Sequence, residues 1–310
     1  AIPQQARVVI IGGGVIGCSV AYHLTKLGWS DVLLLERKEL TCGTTWHAAG
    51  LVGQLRGTRN MTMLAQYTSG LFAGLEEETG QATGFKQNGS ISVAPDEERF
   101  EELKRGASMS KCFGLEVEVI SPREARELHP YLNIDDLCGA VFLPKDGQTN
   151  PIDTTRALAQ GAKMRGACIL ENVKVEGVQK HQGRVTGVLT DKGEVKAEYV
   201  VNCAGLWGRQ VGQMAGVNVP LHASEHFYIV TEEIGMPANL PVLRDPSGWF
   251  YMKEDAGKLL MGCFEPKGKP RPLSTIPEDF SFGQFPEDWG HFEPAMMNAI
   301  HRVPKLEEVG

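Results

Sequence analysis

The sequence predicts an α/β protein with two domains interleaved along the chain, one on a parallel sheet and one an α+β unit on a mostly antiparallel sheet. Three observations carry this. Residues 7–35 read as strand, glycine-rich turn, helix and second strand. Residues 199–205, YVVNCAG, are again an apolar strand that runs into a turn of small residues. Beyond residue 219, stretches such as HFYIVTE alternate β-branched and aromatic side chains as the strands of a second sheet do.

Residues 7–11 are a short, β-branched apolar run of the kind buried in a parallel sheet. Gly12-Gly13-Gly14-Val15-Ile16-Gly17 then supplies G-x-G-x-x-G, and Val20, Ala21, Leu24 and Leu27 recur at helical spacing until Gly28. The first glycine permits the tight turn, the second lets backbone approach a pyrophosphate, and the third lets helix and strand pack closely. The helix N-terminus presents unpaired amides and the positive end of its dipole to such an anion. Residues 32–35 form the second strand. It ends in Glu36, about twenty residues after the glycines, where a carboxylate accepts ribose hydroxyls. This is a Rossmann-like dinucleotide site, with Arg37 grouped beside Glu36.

The next segment, RKELTCGTTWHAAGLVG, is turn-rich and reads as a loop lying against the ligand. Gly43, Thr44 and Thr45 offer amides and hydroxyls to the pyrophosphate, which places His47 toward the far end of the ligand. Asn88-Gly89-Ser90 matches a glycosylation sequon, but Asn-Gly between GFKQ and SISVA is more economically a hairpin turn. A charged amphipathic helix starts near Asp96, a strand and a short helix after Pro122 follow, and Pro151 opens a helix that returns to the first domain. A strand over residues 169–173 and a small meander around residues 180–184 come next. Strands over 227–231, 249–253 and 258–263 build the second sheet. The predicted division is 1–85 with 150–218 for the dinucleotide domain, and 86–149 with 219–310 for the substrate domain. EPKGKPRPLSTIPEDFSF is a Pro-rich, weakly patterned loop, either an entrance lid or an interaction segment.

Composition narrows the function. A net charge of −7 over 310 residues provides no basic field for nucleic acid. No run reaches the roughly 18 apolar residues of a membrane span. The cysteines at 18, 42, 112, 138, 168, 203 and 263 are scattered, with no C-x₂₋₄-C pair, and read as buried thiols in a reducing compartment. The chain begins at Ala1 rather than methionine, which suggests that an N-terminal segment has been removed.

GGGVIGCSVAYHL, LLLERKELTCGTTWHAAG, LEEETGQATGFKQNGSI, VVNCAGLW and LHASEHFYIVTEE together resemble the sarcosine and dimethylglycine dehydrogenases, amine-oxidising flavoproteins of the D-amino acid oxidase group. The likeness runs the length of the chain. It implies that the first domain binds FAD, and that His47 is joined through its imidazole to the 8α-methyl carbon of the flavin. Ala204 and Gly205 resemble the second flavin-contacting strand, and Val173 the position whose backbone meets the adenine. The expected reaction is FAD-dependent demethylation of an N-methylated amino acid through an iminium, giving the demethylated amine and formaldehyde. Electrons would pass to an electron-transfer flavoprotein or to oxygen, in a bacterial cytoplasm or a mitochondrial matrix. Proteins of this kind continue past HRVPKLEEVG with a glycine-rich segment over the flavin and a folate-binding domain. On this reading the chain is C-terminally truncated and lacks the folate domain.

His222, Glu225 and His226 spell H-x-x-E-H, which on a helix would present two imidazoles to zinc. Pro220 and the alternation after it make the stretch a strand, where i and i+4 lie roughly 13 Å apart, so no metal site is expected. The resemblance instead sets His226 and Tyr251 at the border of the substrate pocket, as groups that promote loss of the ammonium proton before oxidation. A substrate carboxylate wants a fixed cation. Arg56, close after His47 and followed by Arg59, is the first choice, with Arg244 behind it.

Two other readings compete. VPLHASEHFY and EDWGHFEP also resemble the regulatory subunit of pyruvate dehydrogenase phosphatase, a non-catalytic protein of this fold that lacks the histidine in the corresponding loop. An NAD-dependent dehydrogenase would account for the first glycine motif but gives no reason for GTTWHAAG.

Overall fold

The computed structural model describes residues 2–309 and is organised by two sheets. The six-stranded sheet runs, in spatial order, Cys168–Leu170, Val32–Leu35, Gln5–Ile11, Gly193–Asn202, Arg184–Thr190 and Val175–His181. The first four strands are parallel. The last two turn back antiparallel as a meander. Val32–Leu35 is buried at every position, as a parallel strand covered on both faces must be. Helices Val15–Lys26 and Pro151–Met164 cover one face, packing Cys18, Ala21, Tyr22, Ala157, Leu158 and Ala162 over Val8, Ile10 and Leu34. Val9, Ile11, Leu33 and Leu35 face the opposite side, against Val173, Val188, Val195 and Val211.

The seven-stranded sheet runs Tyr228–Val230, Lys258–Cys263, Phe250–Asp255, Val242–Asp245, Ser90–Ala94, Gly139–Leu143 and Glu118–Ile120. Its neighbours are antiparallel except Val242–Asp245 beside Ser90–Ala94. Strand alternation divides its faces. Ile91, Leu243, Met252, Met261 and Ile229 are in register on one face, where helix Trp289–Arg302 adds Phe292, Ala295 and Ala299 to the core. Ser92, Arg244, Tyr251, Gly262 and Tyr228 are in register on the other.

Several expectations need correction. Asn88-Gly89 is no hairpin: strand Ser90–Ala94 pairs with Gly139–Leu143 and Val242–Asp245, and GFKQ contributes only a bridge from Lys86 to Gln148. Gly89 nevertheless needs to be glycine, with φ +81° and a Cβ position 2.4 Å from the Phe142 ring. Residues 44–47, expected as loop, form a short helix, Thr44–His47. The strand expected over 169–173 is Cys168–Leu170, and the next, Val175–His181, follows a left-handed Asn172. Helices Arg59–Thr79 and Trp289–Arg302 were not anticipated; many of their apolar side chains stay exposed or half-buried, and Pro294 stands inside the second. The Pro-rich stretch adds a strand, Lys269–Arg271, paired with Ala223–Glu225.

One buried charge cluster joins the C-terminal helix to the second sheet. Arg302 donates through Nε to Asp245 at 3.1 Å and through Nη1 and Nη2 to Asp136 at 2.6 and 3.0 Å. Its Nη1 also donates to the Asn133 carbonyl. Arg302 and Asp245 side chains are 3% and 4% exposed, so removing the guanidinium would strand a carboxylate away from water. We predict that Arg302→Met destabilises the protein by about 3 kcal/mol, read as a lower urea midpoint at unchanged m-value. An unchanged midpoint would show that the cluster contributes nothing.

Candidate functional site: a glycine crevice and a facing polar row

The parallel strands end together. Ile11 lies beside Leu35 on one side and Asn202 on the other, so Gly12, Glu36 and Cys203 meet at the carboxyl edge of the sheet, where ligands of such folds bind. Two glycines allow the approach. Gly12 has φ +113°, and a Cβ there would stand 2.3 Å from the Cys203 carbonyl oxygen; a Cβ on Gly17 would stand 1.9 Å from the Gly12 carbonyl oxygen. Helix Val15–Lys26 therefore starts with its backbone pressed on the strand end, and Gly14 at its N-cap contributes no side-chain cap. Glu36 is buried and takes the Gly13 amide on Oε2 at 2.7 Å and the Lys38 amide on Oε1 at 2.9 Å.

A crevice of about 600 Å³ opens over this edge. Of the residues predicted to bind a dinucleotide, Gly12, Gly14, Val15, Ile16, Glu36, Arg37, Gly43, Thr44, Thr45, Val173, Ala204 and Gly205 line it. Gly17 sits behind the wall as the packing glycine. Thr45 Oγ1 accepts from the Val15 amide at 3.0 Å, tying the short helix to the long one. The Val173 amide donates to the Glu36 carbonyl at 2.9 Å. The sequence reading missed Trp207, whose ring lies 4.0 Å beneath the Arg37 guanidinium; the signal was its place two residues after Gly205 in the second small-residue turn. Burial and the Glu36 charge push the Cys18 thiol up to about 12, so it is an inert packing group behind the crevice.

His47 follows the wall residues Thr44 and Thr45 and precedes Ala48, which lines the crevice. Both ring nitrogens are engaged. Nε2 lies 2.7 Å from the Gly283 carbonyl oxygen, which only accepts, so this nitrogen carries the proton and Nδ1 accepts from the Tyr228 hydroxyl at 3.1 Å. Trp46 and Tyr228 set their rings edge-on to the imidazole. Gly283 directly follows the Pro-rich stretch, which is fastened along the same edge: Arg37 donates to the Glu278 and Phe280 carbonyls, and the Phe282 amide to the Cys42 carbonyl.

Tyr228 belongs to the polar row of the second sheet. Within that row Tyr251 leans over Gly262, where a Cβ would come within 2.2 Å of its hydroxyl. Burial, with the Glu265 charge second, pushes the Tyr251 phenol up to about 12. Opposite Tyr251 stands Arg244, whose Nε is buried without a hydrogen-bond partner. Arg56 is exposed, and its Nη1 donates to the Leu55 carbonyl. Tyr251 and His226 both meet the 264–265 turn, Tyr251 through the Phe264 ring at 5.2 Å and His226 through Nδ1 to Glu265 at 3.0 Å. The His226 side chain is 77% exposed. In the H-x-x-E-H stretch, Ala223–Glu225 is a strand, and Glu225 turns to Arg271 and Lys269 at 3.0 and 3.3 Å.

The raised phenol makes a signed prediction. The native state holds the Tyr251 proton above pH 10, where an unfolded tyrosine loses it, so this stabilisation is complete below about pH 10 and lost as pH rises to about 12. Between these values Tyr251→Phe should lose less stability than the parent, by about 2 kcal/mol, in denaturant titrations across the range. Parallel curves would show an ordinary phenol.

The chain matches the FAD dependent oxidoreductase family over residues 7–310. Human mitochondrial sarcosine dehydrogenase is 43% identical over 100% of this chain and 34% of its own length. The mouse mitochondrial pyruvate dehydrogenase phosphatase regulatory subunit is 41% identical over 99% of this chain and 35% of its own. The 4-methylaminobutanoate oxidase (formaldehyde-forming) of Paenarthrobacter nicotinovorans is 42% identical over 100% and 38%. The chain thus spans little more than a third of these relatives. Among solved structures, L-proline dehydrogenase from P. horikoshii superposes with a TM-score of 0.89 at 25% identity, over 99% of this chain and 79% of that one. No described helix is long and apolar enough to cross a membrane. A parallel sheet ending in a glycine crevice, a second sheet turned toward it and a family match over nearly every residue agree: this chain belongs to the FAD-dependent oxidoreductase family.

Proposed function

We propose that this chain holds FAD in the glycine crevice and forms the amine-oxidising part of a protein that demethylates an N-methylated amino acid. The observation that carries the reading is the position of His47, directly after the crevice wall and hydrogen-bonded to Tyr228 of the second sheet. The crevice fits the cofactor. Its glycines leave backbone exposed where a Cβ would collide, its helix N-terminus has no competing side-chain cap, and 600 Å³ lies within the range of cofactor sites. We assign residues 1–85 and 150–218 to FAD binding and residues 86–149 and 219–310 to the substrate side.

FAD supplies the two-electron acceptor for the substrate's N-methyl carbon. The chain's residues prepare that carbon. A substrate ammonium must lose its proton first, and His226, hydrogen-bonded to Glu265, is the group assigned to accept it. Tyr251 stays protonated and serves as a hydrogen-bond donor to the substrate. Water then divides the substrate iminium into the demethylated amine and formaldehyde, while an electron-transfer flavoprotein or oxygen removes the electrons. Sarcosine, dimethylglycine and a longer methylamino acid are the substrates to test.

We assign covalent flavin attachment to His47. Joining a ring nitrogen to the flavin's 8α-methyl carbon would require one of its two hydrogen bonds, to Tyr228 or to Gly283, to be released; a methyl proton and the imidazole proton would leave and the electron pair would pass into the flavin ring. In His47→Ala, acid precipitation of the flavin-loaded protein should leave all flavin absorbance in the supernatant, while that of the parent stays in the pellet. Yellow pellets from both would refute the assignment. The identity with the phosphatase regulatory subunit supports a second reading, a non-catalytic regulator. Absence of flavin bleaching by every methylated amino acid in the intact, flavin-loaded protein would favour it.

A further inference from the structure

We infer that Arg244 is the anchor for the substrate's carboxylate. The ligand's identity rests on the proposed amine oxidation; the site itself rests on the following geometry. Arg244 occupies the middle of the polar row, between Ser92 and Tyr251 on the neighbouring strands. It is largely withdrawn from water, its Nε has no partner, and among the described residues its guanidinium forms no ion pair. A guanidinium has five donors, and leaving them unused in a desolvated place is costly unless a ligand takes them.

Three charged groups converge on Gly53. The position a Cβ would occupy there lies 3.1 Å from Arg244 Nη2, 3.4 Å from Arg56 Nη1 and 3.4 Å from Asp146 Oδ2. Asp146 is already committed, with Oδ1 accepting from the Gln54 amide at 2.9 Å and Oδ2 from the Ser90 hydroxyl at 2.7 Å. It stands near the two arginines without pairing with either. Two cations against one carboxylate leave a surplus positive charge, and the glycine leaves space beside it. A planar guanidinium here suits a carboxylate, which it binds in a bidentate fork.

The row also sets direction. Neighbouring strands lie roughly 4.8 Å apart, so a carboxylate held by Arg244 puts the adjoining amine beside Tyr251. The substituents on nitrogen then point along the row toward Tyr228 and His47. A short amino acid, with its carboxylate and its methylated amine at opposite ends, matches this order; a simple methylamine has nothing to offer Arg244.

The test uses the intact flavin-loaded protein and methoxyacetate, an unreactive probe that keeps the carboxylate and replaces the amine by an ether. Calorimetric titration of Arg244→Met should show affinity at least about 30-fold weaker, with Arg244→Lys recovering part of it. In turnover, Arg244→Met should raise KM for sarcosine and dimethylglycine while sparing kcat/KM for their methyl esters, which lack the carboxylate charge. Equal losses for acid and ester would make Arg244 a structural residue and overturn the assignment. So would unaltered methoxyacetate affinity in Arg244→Met, or the loss appearing in Arg56→Met instead. A parent protein that binds methoxyacetate through Arg244 but oxidises no methylated amine would sink the proposed reaction and leave the anchor standing. A parent that binds no small carboxylate would overturn the anchor.

Discussion

Backbone pressed on backbone at the end of the first sheet is the constraint on which the rest of the structure depends. The Gly17 Cβ position 1.9 Å from the Gly12 carbonyl oxygen, and the Gly12 Cβ position 2.3 Å from that of Cys203, leave no room for any side chain. Because three backbone segments meet there, the helix amides open directly onto the crevice, and Glu36 reaches the Gly13 amide. A methyl group at either position would separate helix from strand and move every other wall of the site.

The second sheet answers to that edge by alternation. One face is apolar and buried under helix Trp289–Arg302, held by Arg302 between Asp245 and Asp136. Each residue on the opposite face follows from the same pleat, so Tyr228, Tyr251 and Arg244 form one line across adjoining strands. Gly262 is the small residue that makes the line usable, since Tyr251 lies over it. Burial that would be a liability for isolated polar groups becomes a source of specificity when they line a shared face.

His47 couples the two parts. It stands at the end of the crevice wall, yet its hydrogen bonds reach Tyr228 of the second sheet and Gly283 at the end of the Pro-rich stretch. That stretch reads in sequence as a lid or an interaction segment; in the fold it is fastened to Arg37, Cys42 and His47. These attachments are made by main-chain carbonyls and one amide, which leave no trace in residue type, while Glu278, Lys269 and Arg271 add side-chain ion pairs to Lys174 and Glu225.

Local periodicity was enough to reveal the strand, glycine turn and helix at the N-terminus, the acid at Glu36, the helix starts near Asp96 and at Pro151, and the strands around Tyr251, because each depends on neighbours in sequence. The family likeness was legible in the same way, through contiguous motifs. Helix Arg59–Thr79 escaped notice because its apolar stripe is weak and much of it stays exposed, and Asn88-Gly89 misled because a turn signal says nothing about which strand follows its strand into the sheet. Both cations facing Gly53, Arg56 and Arg244, were legible in the sequence, but their order was a matter for tertiary structure. Arg56 stood nearer to His47 in sequence, but only the register of Val242–Asp245 between two other strands buries Arg244, aligns it with Tyr251 and leaves its Nε unpaired. Sequence determines what each segment prefers to be; strand order between Ser90 and Cys263 decides which side chains share a face.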